Sequence, residues 1–448
     1  MQVPAEVTVE EGTEIVERVA AIDVAKATGM VCTRAPHERL AGKRVTKVWE
    51  VKATTRGISE LADHLVAEGV TRVVMESTSD YWRPFYYLLE AAGLVCWVVN
   101  ARQVKNVPGR PKTDKIDAIW LAKLAERSMV SPSFVPPEAG RHVRDLARAR
   151  FDLVEDRTRV KQRVEKLLED ALTKVSSVLT DIHGVSGRAM IEALIAGERD
   201  PKVLAELAKG RARARLGDLA EAVDGRFTDH HARLARMLLD QIDDLTRRVE
   251  AVTGMLDTSI AALGQQVAPA VDAATGEITS PSLDYTSAVE RISAMPGGGA
   301  DTARAVIAEI GLDMTVFGTA GRLCSWAKVS PRTVQSGRKT GKAVTGKGNP
   351  YLKAALGQMA TGAAKTDTFL GARYYRRLAK RMPKSKALAA IERSILVVIF
   401  QLLADPTTTF RDLGADFYDK RMDTARRTRN LVAQLEALGH HVALTPAA

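Results

Sequence analysis

Apolar and polar residues follow three different rhythms along the chain, and each predicts a different kind of structure. The first runs from Val19 to about residue 127. VAAIDV (19–24), MVCT (30–33) and VTKVWEVKAT (45–54) are short apolar or alternating runs and read as strands, with a turn at KATG. GISELADHLVAEGV (57–70) has helical spacing, TRVVME (71–76) is a compact strand, YWRPFYYLLEAAG (81–93) is helical and LVCWVV (94–99) is a strand. After the loop VKNVPGRP, KTDKIDAIWLAKLAER (112–127) predicts a helix. Three strands followed by helix, strand, helix, strand, helix predict an α/β domain with a mixed sheet. Residues 1–17 are acidic and aperiodic and read as a tail.

The second rhythm is a heptad. Leu146, Leu153, Val160 and Leu167 recur every seven residues in a highly charged stretch. Residues 231–264 carry two rows, Leu238, Leu245 and Val252 beside Ile242, Val249, Leu256 and Leu263. Such rows make a coiled-coil seam, satisfied equally by a paired antiparallel arm or by a compact bundle. The third rhythm begins after an Ala-, Pro-, Thr- and Ser-rich stretch, 266–288, that reads as a linker. It predicts helices around 289–295, 301–311, 350–363 and 383–404, separated by Gly-rich and basic loops. A charged helix and a small-residue tail close the chain.

Composition narrows the function. Among 448 residues, 65 Lys and Arg face 54 Asp and Glu, a net charge of +11 that favours a polyanionic partner. Cys32, Cys96 and Cys324 stand far apart with no CxxC pair, so neither a zinc site nor a disulfide framework is expected, and a reducing, cytoplasmic setting fits. The opening residues do not resemble a signal peptide. The most apolar run, ILVVIFQLL (395–403), falls short of the roughly 20 residues that span a bilayer and reads as a buried helix, with no membrane partner.

Four carboxylates stand out in the first region. Asp23 and Glu76 close apolar strands, where a lone buried carboxylate is costly without a cation or a donor. Asp114 and Asp117 share one face at a helix start. Should strands and helix converge, the four would hold two hard cations such as Mg²⁺, which can clamp the attacking and leaving oxygens of a phosphodiester. The plainer alternative is that Thr113 caps the helix, its first-turn acids answer the helix dipole, and Asp23 accepts turn amides.

Further along, seven basic residues (Lys328, Arg332, Arg338, Lys339, Lys342, Lys347 and Lys353) and no acid occupy 328–353, a composition that tracks a phosphate backbone. Ser336 sits among them in TVQSGRK with no His within ten residues, so spacing alone favours a turn serine. MPGGGADTARAVIAEIG (295–311) reads as helix, glycine hairpin, helix. The amides of Gly297, Gly298 and Gly299 suit either a phosphate or simply a tight interhelical turn. Asn349-Pro350 reads as N-cap and first residue of the next helix. Trp82, Phe85 and Tyr86 read as core, and the histidines show no ligand spacing.

AAIDVAK (20–26), VVMESTSDYWRPFYYLLEAAG (73–93), VVNARQVKNVPGRPKTDKIDAIWLAKL (98–124), and the later MPGGGADTARAVIAEIG, WAKVSPRTVQSGRKTGK and GKGNPYLKAAL resemble the DEDD transposases of insertion sequences. The likeness is closest to the group of pilin-gene inverting and bridge-RNA-guided recombinases. The combination of KTDKIDA with the QSG block is the specific part. The resemblance implies a RuvC-like, RNase H-like domain over 18–140 with Asp23, Glu76, Asp114 and Asp117 as a metal-binding tetrad. It implies a helical coiled-coil region over 141–265, the linker 266–288, and a transposase domain over 289–415 in which Ser336 is the catalytic serine, followed by helix and tail over 416–448. Arg338, Lys339, Lys342, Lys347 and the three glycines would then contact nucleic acid. The triple glycine departs from a more usual GxG. Double-stranded DNA at element ends and target, a non-coding bridge RNA, and dimers joining into tetramers are the implied partners. The alternatives are a metal-dependent branched-DNA nuclease, with Ser336 incidental, and a non-catalytic nucleic-acid-binding protein.

Overall fold

A computed structural model of the chain describes residues 15–40, 42–76, 79–100, 113–264, 270–271, 278–280, 285–331, 335–336, 339–340, 344–405, 407–420 and 424–445. Two compact units divide it, Met1–Val135 and Pro136–Ala448.

The first unit is built on five strands: β1 (Val19–Val24), β2 (Thr28–Pro36), β3 (Arg44–Lys52), β4 (Arg72–Glu76) and β5 (Cys96–Val99). Their order across the sheet is β3-β2-β1-β4-β5. β1 to β3 form an antiparallel meander, while β4 lies parallel to β1 and β5 parallel to β4. This mixed order fits the expected RNase H-like domain. β2 extends beyond MVCT because the ladder from Thr28 to Pro36 pairs fully with β3 through residues whose side chains are partly solvated. Such half-solvated positions give little apolar signal.

Alternation on the strands sorts residues to two faces. Ala20, Ile22, Val73, Met75 and Val98 pack with Leu61 and Leu65 of α1 (Thr55–Ala67) and with Phe85 and Leu89 of α2 (Trp82–Ala91). Phe85 and Tyr86 are buried and Trp82 packs against the same cluster, as expected. On the opposite face Ala21, Cys32, Val74 and Val99 meet Ala118, Leu121, Ala122 and Ala125 of α3 (Asp114–Glu126). Part of the expected tail is anchored: the Val16 amide donates to the Glu126 carbonyl at 2.9 Å.

In the second unit the heptad stretches form two long helices, α4 (Glu138–Asp170) and α5 (Asp229–Gly264). Arg150 reaches Thr253, Arg157 reaches Thr246 and His231 reaches Asp170, so the pair is antiparallel. Short helices between residues 175 and 223 fold over the far end, where Val160, Val164 and Leu168 share a core with Met190, Leu194, Leu204, Leu219 and Leu239. The pattern admitted an arm or a bundle; the chain uses a long pair with a compact helical end.

The stretch expected as linker holds a small antiparallel ladder, Ala270–Val271 with Ile278–Ser280, and the next helix, α6 (Tyr285–Ser293), already begins inside it. Then follow α7 (Ala300–Ile310), α8 (Ala320–Trp326), α9 (Pro350–Ala364) and α10 (Lys384–Ala404). α10 is long and apolar enough to cross a membrane by length and composition. Ile391, Ile395, Leu396, Ile399 and Leu403 are nonetheless fully covered or nearly so, in contact with α6, α8 and α9, which is the expected buried helix.

Candidate active site

The carboxylates of the first unit are positioned by register and helix direction. β1 and β4 are paired in parallel as far as Ile22 with Met75. One residue further sets Asp23 beside Glu76 at the carboxyl ends of neighbouring strands, both half-buried. Each lies two positions beyond a residue packed on α3, Ala21 and Val74, so both belong to the α3 face.

α3 runs against these strands. Its last residue, Glu126, pairs with Arg34, which sits opposite Val19 at the start of β1. Arg72, the first residue of β4, donates to Ser128 at 3.2 Å. The carboxyl end of α3 therefore lies over the strand starts. Thirteen residues at about 1.5 Å and six at about 3.3 Å both span roughly 20 Å. The helix start, with Asp114 exposed and Asp117 half-buried, thus comes to the strand ends bearing Asp23 and Glu76. Thr113 caps that start, its hydroxyl accepting from the Ile116 amide at 3.3 Å. The dipole role of the first-turn acids is met at the same time.

Four hard oxygen donors at one end of a sheet have the chemistry of an Mg²⁺ site. The side chains as they stand do not close one: among the described residues no group of three or more His, Cys, Asp or Glu could hold a metal ion. Asp23, Glu76 and Asp117 each interact with other groups. The elements converge, then, without forming a finished cage.

In the second unit Ser336 lies on a two-residue strand, Gln335–Ser336, paired antiparallel with Lys339–Thr340, Ser336 opposite Lys339. It is a strand residue of that ladder, where spacing alone favours a turn serine. Arg338 and Lys342 lie outside the described residues, and Lys347 is exposed. Among the described residues, two cations of this basic stretch have internal work. Lys353 Nζ donates to the Gly346 carbonyl at 2.6 Å, and the stem of Lys328 lies beneath Gly346 and Gly348. The Asn349 side chain caps α9, accepting from Tyr351 and Leu352 at 3.0 and 3.3 Å, with Pro350 at the first position, as expected.

The glycine block favours the tight-turn alternative. A Cβ on Gly297, whose φ is +75°, would stand 2.1 Å from the Met359 carbonyl and 2.4 Å from the Ala363 amide of α9. The Gly298 amide already donates to the Met295 carbonyl at 2.8 Å, and that of Gly299 to the Thr302 hydroxyl at 3.0 Å. Close helix approach explains Gly297, and two of the three amides are committed within the turn.

The sequence reading passed over Glu309. Its side chain is 2% exposed. Arg148 binds it through two nitrogens at 2.8 and 3.0 Å, Arg144 Nε lies 3.1 Å away, and Asn349 Nδ2 donates at 2.5 Å. The Arg148 guanidinium also lies over the Tyr351 ring, 4.8 Å from its centroid. Burial pulls the Arg148 pKa down, but the hydrogen bond and charge of Glu309 outweigh it and the net direction is up. The network ties α4 and α7 to the cap of α9. A lone acid in the apolar run AVIAEIG, with two arginines four apart in another helix, was the available signal.

Residues 20–172 match a family model described as a transposase, the DEDD transposase of IS110. Residues 289–376 match a second, described as transposase IS116/IS110/IS902 family. Together they define the class: a transposase, an enzyme acting on DNA. The chain belongs to the IS110 family of DEDD transposases. It is 27% identical over 325 residues to the insertion element IS110 uncharacterized 43.6 kDa protein of Streptomyces coelicolor, covering 70% of this chain and 74% of that one. It is 29% identical over 153 residues to the putative transposase y4qE of Sinorhizobium fredii, covering 34% of this chain and 38% of that one. A solved structure of Thermus thermophilus RuvC is similar at 15% identity and a TM-score of 0.21, covering 26% of this chain and 99% of that one. A second, T. thermophilus RuvC in complex with Holliday junction substrate, is similar at 16% and 0.20, with the same coverage.

Proposed function

We propose that this transposase cleaves and rejoins DNA at insertion-sequence ends and target. Asp23, Glu76, Asp114 and Asp117 would hold Mg²⁺, two ions by the count of donors, and Ser336 would be the nucleophile. The observation that carries the reading is the arrival of the α3 start, with its two acids, over the strand ends bearing Asp23 and Glu76. Bound cations would stabilise charge on phosphodiester oxygens.

Serine chemistry suits rejoining. The Ser336 hydroxyl gives up its proton as its oxygen attacks phosphorus, the bridging bond to one DNA oxygen breaks, and that oxygen leaves with the electron pair and takes up a proton, so that no net proton is gained or lost. The protein–DNA phosphoester keeps the bond energy, and a hydroxyl on another strand reverses the step. Hydrolysis would release it. The basic segment around Ser336 supports DNA contact by Arg338, Lys339, Lys342 and Lys347. Guidance by an element-encoded RNA and assembly into dimers and tetramers complete the proposal, the first on the family resemblance, the second on the heptad helices.

The test is cleavage of element-end DNA with Mg²⁺ by the parent, Asp23→Asn and Ser336→Ala chains, scored for protease-sensitive protein–DNA adducts. Both variants should lose adducts and strand exchange. Full exchange by the serine variant overturns the nucleophile. Continued cutting without adduct by that variant indicates the branched-DNA nuclease, and no cleavage by any form indicates a binder. Sequencing the RNA that copurifies with active protein tests guidance; an active preparation free of element RNA overturns it.

A further inference from the structure

A second basic surface lies well beyond the QSG block. Arg373 to Lys386 (RYYRRLAKRMPKSK) holds seven basic residues and no acid. Such density along fourteen residues is more than a random share of a net charge of +11. Physical observations of four kinds bear on it.

Arg377, Lys380, Arg381, Lys384 and Lys386 are exposed. Among the described residues no ion pair engages Lys380, Arg381, Lys384 or Lys386, whereas exposed arginines elsewhere, such as Arg56, Arg159 and Arg247, are paired with acids of their own helices. Unneutralised cations held close together repel one another unless an anion joins them. The stretch Arg373–Leu378 is a π-helix, a geometry rare in proteins and enriched at functional sites. Next, α10 starts at Lys384 with no acid in its first turn and no side-chain cap. Helix starts ordinarily carry acids against the positive end of the dipole, so lysines there add to the field instead of cancelling it. Finally, the Arg373 Nε is buried without a hydrogen-bond partner.

We infer that this surface is a binding site for the phosphate backbone of duplex DNA, in addition to the contacts proposed around Ser336. A duplex is favoured over single-stranded RNA because the segment offers no stacking platform among its described side chains; Tyr374 is 6% exposed. The recognition is electrostatic and indifferent to base sequence. It rests on the reading of the chain as acting on DNA.

The experiment is equilibrium binding of the full chain to a labelled duplex of arbitrary sequence across a salt series. The chains compared are the parent, the triple variant Lys380→Ala/Arg381→Ala/Lys384→Ala, and a charge-matched control, Arg56→Ala/Arg159→Ala/Arg247→Ala. Each phosphate contact contributes about 0.9 to the slope of log K against log salt, so the triple variant should lose up to ~2.7 of slope. Its affinity at low salt should fall roughly tenfold or more, with unchanged melting, while the control keeps the parent slope. A triple variant matching the parent in slope and affinity overturns the inference. So does a loss confined to RNA probes. A parent that binds no duplex DNA defeats the proposed function itself, a result distinct from either.

Discussion

Glu309→Ala should destabilise the second unit more than any ordinary single substitution. The carboxylate it removes is 2% exposed and answers two guanidinium groups, Arg144 and Arg148, whose side chains are 14% and 26% exposed. Removing one partner of a buried pair costs about 3–5 kcal/mol, because the remaining charge stays desolvated. Arg148 keeps some water, which places this pair near the lower end, about 3 kcal/mol. The Asn349 amide loses its acceptor as well, adding about 1 kcal/mol, although its oxygen still caps α9. About 3–4 kcal/mol corresponds to a fall of roughly 5–6 °C in melting temperature for a unit of this size. Calorimetry on the full chain reads it. Glu309→Gln keeps the shape and one acceptor but not the charge, and should fall between variant and parent. A Glu309→Ala chain melting within about 1 °C of the parent refutes the claim that the carboxylate holds α4, α7 and α9 together.

Two further outcomes follow from local geometry. Gly297→Ala drives a Cβ into backbone atoms of α9 at a positive φ and should cost about 2–4 kcal/mol, whereas Gly299→Ala, with nothing within 4 Å of the new carbon, should stay within about 1 kcal/mol of the parent; paired urea melts decide it, and equal effects would refute the close-approach argument. Burial pushes the Cys32 thiol up to about 11, against the lesser pull of Arg34 and Lys123, and burial with the neighbouring Glu90 pushes Cys96 up to about 12, so neither is a thiolate near pH 8. Mass spectrometry should find both unalkylated by iodoacetamide in the native chain and alkylated after denaturation; rapid native labelling would refute it.

Much was legible along the chain because it depends on near neighbours. VAAIDV and TRVVME are apolar runs with an acid at or next to the end, and both proved to be strands, the first buried except at Asp23 and the second buried through Val73, Val74 and Met75. Thr113 and Asn349 were readable as caps because a cap acts within three residues of itself. The heptad rows were visible in α4 and α5, but not their antiparallel sense, which depends on the 58 residues folded between them. The glycine block was open to two readings, since nothing in MPGGGAD announces that α9 will lie against Gly297.

Local pattern by itself determined where the strands and helices of the first unit and the long heptad helices lie, which stretch is basic, and which acids stand where a bare charge is costly, for these follow from solvation and backbone preference a few residues at a time. Only the tertiary structure decided that Asp23 and Glu76 lie side by side on the α3 face, that α3 runs against these strands with its start towards their carboxyl ends, and that Glu309 has two arginines from another helix. Strand register, helix direction and the partner of a buried charge are settled by contacts between residues far apart in the chain, and no window of sequence contains both sides of such a contact.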